Sequence, residues 1–381
     1  MTSQPLAPTT YLWRNTGKSI PLILVIVLSV MLIAGIVSIM NSIPLSIRTI
    51  YRYSERSLGI TPRGDVNVTP RVYEELKATC PVPIERIIVC RAADTEVKSI
   101  VGKWPFVVLA LKPDDLDYYI QKHGGKALEG RLPQGDQPEA VVSRPVARNL
   151  GLKLGGELLG PDRNVGYSPR SVRIVGLIDS PEWIALMPYG YHAANHFPPL
   201  DVLAVFAPDL PTQRKLDDWA VEKFKGDRAR LFSYAELEKS TNEMFKILYK
   251  ILNVVIFILV AVITLVVGLL MNIYQSQRVQ EFALLQALGY TKQSLLKRVI
   301  AETALVIMGG WILGVFAAIG LLQMVYLTLM EPQAFALNPF DPQAYLYSLP
   351  VPIAILGVGI WTILHRFKTF DPVGVVERRL V

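Results

Sequence analysis

Residues 275–298 read QSQRVQEFALLQALGYTKQSLLKR, and a long apolar run lies on each side of them. The stretch carries Arg278, Lys292, Lys297 and Arg298 against a single acid, Glu281. Charge at that density does not lie in hydrocarbon, and so short a segment buries too little surface to fold alone. Loops rich in Lys and Arg are retained on the cytoplasmic face, so this one orients the helices on either side of it. Residues 281–289, EFALLQALG, have the make-up of a short helix stopped by Gly289, because glycine takes the left-handed backbone that ends a helix.

Working outward, the chain of 381 residues is 51% hydrophobic, with a mean hydropathy of +0.34, which is more apolar than a soluble protein of this size. Residues 20–41 hold no charge and are long enough to span a bilayer. A cleaved signal peptide is the rival reading, but the run exceeds a signal core and lacks a small-x-small cleavage site. Arg14 and Lys18 in the segment 1–19 place the amino terminus in the cytoplasm, with Trp13 as an aromatic-belt residue. Residues 244–274 read as a stalk entering a second span. Residues 299–329 read as a third, interrupted by Glu302 and Gln323, and residues 346–365 as a fourth. The loop 330–345 has acids and no base, whereas the tail 366–381 carries Arg366, Lys368, Arg378 and Arg379. Every loop therefore agrees with four transmembrane α-helices, one plus three, and both termini cytoplasmic.

Between the first and second spans, residues 42–243 are soluble in character and belong on the extracytoplasmic side. Their charge is nearly balanced, 27 basic against 26 acidic residues, so the basic pI comes from the membrane flanks. That distribution does not suit nucleic acid, which asks for a basic stripe on the folded domain. The region reads as a large α/β domain of two subdomains. The α/β halves cover about 42–115 and 200–235, around a β-rich, Gly/Pro-dense insertion at about 125–195. Residues 65–68 read as a strand and Thr69-Pro70 as the cap and first turn of a helix. Residues 84–90, 104–111, 139–142, 157–159, 172–177, 202–207 and 229–232 read as further strands, with helices over 114–122 and 213–224.

Four local features have both a chemical and an architectural reading. Glu302 is an ionisable group at a membrane boundary, where a functional role is the default and pairing with Arg298 one turn earlier is the simpler alternative, favoured here. Cys80 and Cys90 would bridge in an oxidising compartment, the alternative being two free thiols. His192 and His196 have the i, i+4 spacing of a metal-binding helix but lack a third ligand, and Pro198-Pro199 ends any helix there, so no metal site is expected. Gly310 and Gly314 make a small-residue face on the third span for close helix packing, inside the bundle or across a dimer. No HExxH, GxSxG or other catalytic constellation is present in the sequence.

Taken together, these residues resemble the permease subunits of the MacB/FtsX-like ABC transporter family. Residues 281–289 followed by Glu302 resemble its "REIG…RALG…E" segment, with Phe282-Ala283 for Ile-Gly and Gln286 for the second arginine. Residues 128–133 (LEGRLP), 139–143 (EAVVS), 147–155 (ARNLGLKLG) and 172–177 (VRIVGL) resemble the signature of its outer domain. Residues 370–379 (FDPVGVVERR) resemble its carboxy-terminal ending.

The resemblance implies a transport subunit, not an enzyme, in a bacterial inner membrane, driven by two copies of a separate ABC-type ATPase. The chain has no GxxxxGK[ST] motif, so ATP and magnesium are expected on that partner. A second permease copy or paralogue, membrane lipids and a periplasmic adaptor are the other partners it suggests. The cargo would be a hydrophobic compound, peptide, lipid or lipoprotein. A transmembrane signalling protein of FtsX type, activating an extracytoplasmic cell-wall hydrolase, is the alternative, and a membrane-anchored binding module with no ATPase is a third. On the transport reading the loop 275–298 is the ATPase-coupling element, through Arg278, Glu281, Phe282, Leu285, Leu288 and Gly289. Phe282, Leu285 and Leu288 are expected to form an apolar ridge for a groove on the partner.

Overall fold

The computed structural model describes residues 16–195 and 200–369. Trp13, Arg14, His196 and the segment 370–379 lie outside the described residues. The chain divides into two units, one of Met1–Met40, Ile247–Tyr326 and Asn338–Val381, the other of Asn41–Lys246 and Leu327–Leu337.

The first helix, α1 (Thr16–Ile50), outruns the apolar stretch that predicts it. Ile43, Ile47 and Ile50 repeat at i, i+4, i+7 and are all buried, so the helical period continues beyond the span and delivers Ile50 into the core of the interspan unit. A turn of 3-10 helix (Arg52–Glu55) leads into β1 (Leu58–Pro62) and α2 (Val68–Thr79). Residues 65–68, expected as a strand, are instead the turn into α2. The Asp65 carboxylate accepts from the Asn67 N–H at 3.0 Å, a local bond that competes with strand pairing. Thr69 does not cap the helix, and its hydroxyl donates to Asp201 O at 2.6 Å.

A long hairpin of β2 (Arg86–Ser99) and β3 (Gly102–Leu111) follows, then α3 (Pro113–Lys122), β4 (Leu128–Gly130), β5 (Glu139–Ser143) and α4 (Arg144–Leu150). Next come β6 (Glu157–Leu159), β7 (Val172–Ile178), β8 (Ala185–Pro188), α5 (Tyr189–Asn195), β9 (Val202–Phe206), α6 (Leu210–Lys223) and β10 (Ala229–Phe232).

Among the described residues the strands form one mixed sheet, β10-β1-β9-β2-β3-β8-β5-β7-β4, with β6 on β7. β2 joins its two ends. Arg86–Cys90 pairs with β9, and Arg91–Ser99 pairs with β3. At the β10 end, alternation sends Leu58, Ile60, Leu203 and Val205 to one face, under α2 and α6. α6 starts where Asp209 accepts from the Thr212 N–H at 2.8 Å. The opposite face holds Ile88, Cys90 and Phe206 against Leu116 and Tyr119 of α3.

In the membrane unit, α7 (Tyr234–Gln277) is a single helix of 44 residues that begins in the interspan unit. It is followed by α8 (Val279–Ala287), α9 (Lys292–Val325), α10 (Pro342–Leu346) and α11 (Pro350–Thr369). Among the described residues four helical stretches are long and apolar enough to cross a membrane: Ser19–Ile50, Tyr234–Gln277, Lys292–Gln333 and Pro342–His365. Ile26, Val30 and Ile33 of α1 pack with Val267, Ile307 and Ile355 in the core of this unit.

Candidate functional site

The loop between the second and third spans is built as helix, glycine, helix. α8 ends at Gly289, whose φ of +92° lies in the left-handed region open to glycine. The Tyr290 N–H reaches back to Leu285 O at 3.1 Å and the Gly289 N–H to Gln286 O at 2.9 Å, the paired bonds of a Schellman stop. Two residues on, the Thr291 hydroxyl accepts from the Ser294 N–H at 3.3 Å and starts α9. The glycine thus lets the chain turn from α8 into α9 within a few residues.

Which side of α8 faces inward differs from the expected ridge. Phe282 is buried with Leu295 and Val299 of α9 and Ile363 of α11, and Leu285 is half-buried against the same cluster. Neither is free to enter a groove on a partner. Leu288 is 76% exposed, and its neighbour one turn back, Leu284, is 63% exposed. The outward apolar pair is therefore Leu284 and Leu288, at i, i+4, with Glu281 exposed beside them. Leu284 was missed because a helix of nine residues with apolar side chains around much of its surface does not announce which face the bundle takes.

Arg278 also turns inward. It is 2% exposed, and its Nη1 donates to Glu302 Oε2 at 2.7 Å, while Nε lies 3.4 Å from Glu281 Oε2. Its guanidinium stands 5.4 Å and 5.1 Å from the ring centroids of Tyr274 and Phe282. Arg298 is the weaker partner of Glu302, at 3.7 Å, so the pairing expected with Arg298 belongs chiefly to Arg278. A guanidinium and a carboxylate both removed from water hold only as a pair, which ties the start of α8 to α9.

Gly310 and Gly314 face the first helix within the same chain. A Cβ on Gly310 would meet Ile26 at 3.2 Å, and one on Gly314 would meet Val30 Cβ at 2.8 Å and Val27 Cα at 3.2 Å. Of the two packings open from sequence, these contacts are those inside the bundle.

In the interspan unit the expected disulfide is not formed, and both cysteines are free. Cys80 follows α2 and packs with the cluster under α2 and α6, whereas Cys90 points to the other face of the sheet, toward α3. The sheet lies between them. Burial pushes the Cys90 thiol up to about 12, which removes its thiolate at neutral pH. His192 is buried in α5, and no group of three His, Cys, Asp or Glu side chains suited to a metal occurs among the described residues. One buried polar cluster gave no sequence signal. His123 Nδ1 lies 2.6 Å from Glu182 Oε2, and Arg56 Nε donates to Glu182 Oε1 at 2.6 Å. Burial lowers the His123 pKa, with Glu182 opposing the shift.

Residues 253–372 match a family model described as FtsX-like permease C-terminal. Over these residues the chain is similar to FtsX-like permease domains. The match takes in α8, the Arg278–Glu302 pair and the glycine face of α9. Four apolar helices among the described residues, with a mixed α/β domain between the first two, agree with the layout that the sequence resemblance implies. Two solved structures are similar to about half of the chain. One is the periplasmic region of MacB from Actinobacillus actinomycetemcomitans, 10% identical, covering 49% of this chain and 92% of that one, with a TM-score of 0.27. The other is the extracellular domain of the noncanonic ABC-type transporter YknZ from Gram-positive bacteria, 8% identical, covering 47% and 99%, with a TM-score of 0.25. No curated protein matches the sequence.

Proposed function

We propose that this FtsX-like permease is driven by a separate ABC-type ATPase that docks on the loop 275–298, on the cytoplasmic side. Two ATPase copies would serve a pair of permease chains, the second being another copy or a paralogue, and would hold the ATP and magnesium. The interspan domain would then stand outside the membrane and move with the ATPase cycle. The cargo class is that of the family resemblance: a hydrophobic compound, peptide, lipid or lipoprotein, exported or extracted.

The observation that carries the reading is the outward pair Leu284 and Leu288 on a helix whose other side is anchored. Two leucines one turn apart suit a hydrophobic groove on a partner. The buried Arg278–Glu302 pair and Phe282 would pass a push on α8 directly to α9, since a packed contact does not yield.

The test replaces both exposed leucines, Leu284→Asp with Leu288→Asp, in the full chain. An ABC-type ATPase captured with the wild-type protein from native membranes is expected to be lost from the double variant. Thermal stability of the purified permease should stay unchanged, because neither side chain contributes to a core. Retention of the ATPase by the double variant would overturn the assignment. Phe282→Asp is not a docking test, since it places a charge in the cluster beneath α8 and should unfold the loop.

A further inference from the structure

The interspan unit contains a cavity of about 380 Å³. Its floor is one face of adjacent strands, and the register explains why it is hollow. Gly59 of β1 sits opposite Ala204 of β9, and Cys90 and Ala92 alternate along the same face of β2. On the reverse face these strands carry Leu58, Ile60, Leu203 and Val205, packed under two helices. Along this face Gly59, Cys90, Ala92 and Ala204 are small, whereas Ile88 and Phe206 are large and meet α3, and a depression is left beside that contact. Tyr51, Tyr53, Leu109, Phe232 and Leu237 wall it. Leu237 lies in α7, so a helix that forms a candidate span also borders the cavity, and Tyr51 directly follows α1.

A void with this lining forfeits dispersion contacts unless something apolar fills it, and its size falls within the range of about 300–1,000 Å³ typical of small-molecule sites. At roughly 30 Å³ for a water-sized group, it accommodates about a dozen methylene-sized groups, which suits one alkyl chain. The charges on the lining give the occupant a direction. Arg230 on β10 is exposed, stacks over Phe232 with its Cζ 4.7 Å from the ring centroid, and is in no ion pair among the described residues. Asp94 on β2, also exposed, stands three strands away along the sheet. An anionic head is thus favoured at the β10 end and disfavoured at the other.

We propose that this cavity is a binding site for a single-chain amphiphile, its alkyl tail on the small-residue floor and its anionic head at Arg230. A free fatty acid and a lysophospholipid share that chemistry. The site stands or falls independently of ATPase docking, so it is tested without ATP or partner.

The full chain, in phosphatidylcholine nanodiscs, is exposed to a diazirine-tagged fatty acid, a diazirine-tagged lysophospholipid with an anionic head, or a diazirine-tagged monoacylglycerol. Labelled peptides are then mapped by mass spectrometry. Labelling by an anionic probe is expected on peptides containing Tyr51–Ser57, β2–β3 and Phe232, and the probe that labels them identifies the head. Ala92→Phe fills the floor and should cut this labelling about tenfold, while labelling of the spans, an internal control, is unchanged. Arg230→Glu, on an exposed side chain that no core uses, should cut labelling by the anionic probes and spare the monoacylglycerol. Labelling confined to the spans, or cavity labelling indifferent to Ala92→Phe with span labelling unchanged, would overturn the site. Equal loss of all three probes in Arg230→Glu would overturn the head assignment.

Discussion

At the scale of single residues, one guanidinium holds the loop to the bundle. Arg278 is inside, and its charge is tolerable there only because Glu302 is beside it. Removing one member of such a pair typically costs about 3–5 kcal/mol, whereas replacing both with apolar groups often costs little. Glu302→Ala is therefore expected to lower the thermal unfolding temperature of the purified protein sharply. Arg278→Met combined with Glu302→Met should recover most of that loss, and strictly additive losses in the double variant would show that the two side chains do not act as a pair. Asp217 is the comparable case in the interspan unit. It is 5% exposed, accepts from Gln213 Nε2 at 2.8 Å, and burial pushes its carboxyl up to about 7. An ordinary aspartate releases its proton near pH 4. Between there and pH 7 the folded chain keeps a proton that the unfolded chain has lost, so stability declines as pH rises through that window and levels off above it. Asp217→Asn removes this dependence. The difference in melting temperature, variant minus wild type, should grow from pH 4 to pH 7 and then stay constant; a difference independent of pH would contradict the buried, protonated state. A shift of about three units corresponds to about 4 kcal/mol as a ceiling.

At the scale of elements, α8 and α9 show how far a helical pattern carries without its neighbours. The glycine stop at Gly289 was readable, because a lone glycine after a helical run has few other uses, and the φ of +92° agrees with it. The outward face was not. Phe282 and Leu285 are as apolar as Leu284 and Leu288, and only the contacts with α9 and α11 separate anchor from ridge. The glycine face of α9 has the same character. From the sequence it suited a dimer as well as the bundle, and the close approach of Val27 and Val30 assigns these contacts to the bundle. Gly314→Val should therefore force α1 and α9 apart, at about 1–3 kcal/mol, the usual cost of overpacking. Gly309, with nothing within 4 Å of a Cβ, should accept alanine without loss. Equal thermal stability of the two variants would rule out the packing described.

At the scale of the molecule, the apolar runs by themselves determined four spans and a large domain between the first and second. A span needs only length and hydrophobicity, and both are properties of consecutive residues. Most strands of the interspan domain were legible for a related reason, since alternation is local. The 44-residue α7, about 66 Å long at 1.5 Å per residue, was visible as a period running from polar into apolar sequence. What the tertiary structure alone decided is every relation between distant residues. It placed Cys80 and Cys90 on opposite faces of one sheet, where spacing had allowed a bridge. It brought Arg56, His123 and Glu182 together from three segments. It turned Arg278 and Phe282 inward and left Leu284 and Leu288 outside. It also put Gly59 opposite Ala204, with Ala92 further along the same face of the sheet, so that small residues scattered over the chain line one cavity. The physical reason is the same throughout: helices, stops and spans follow from neighbours in sequence, whereas burial and pairing follow from neighbours in space.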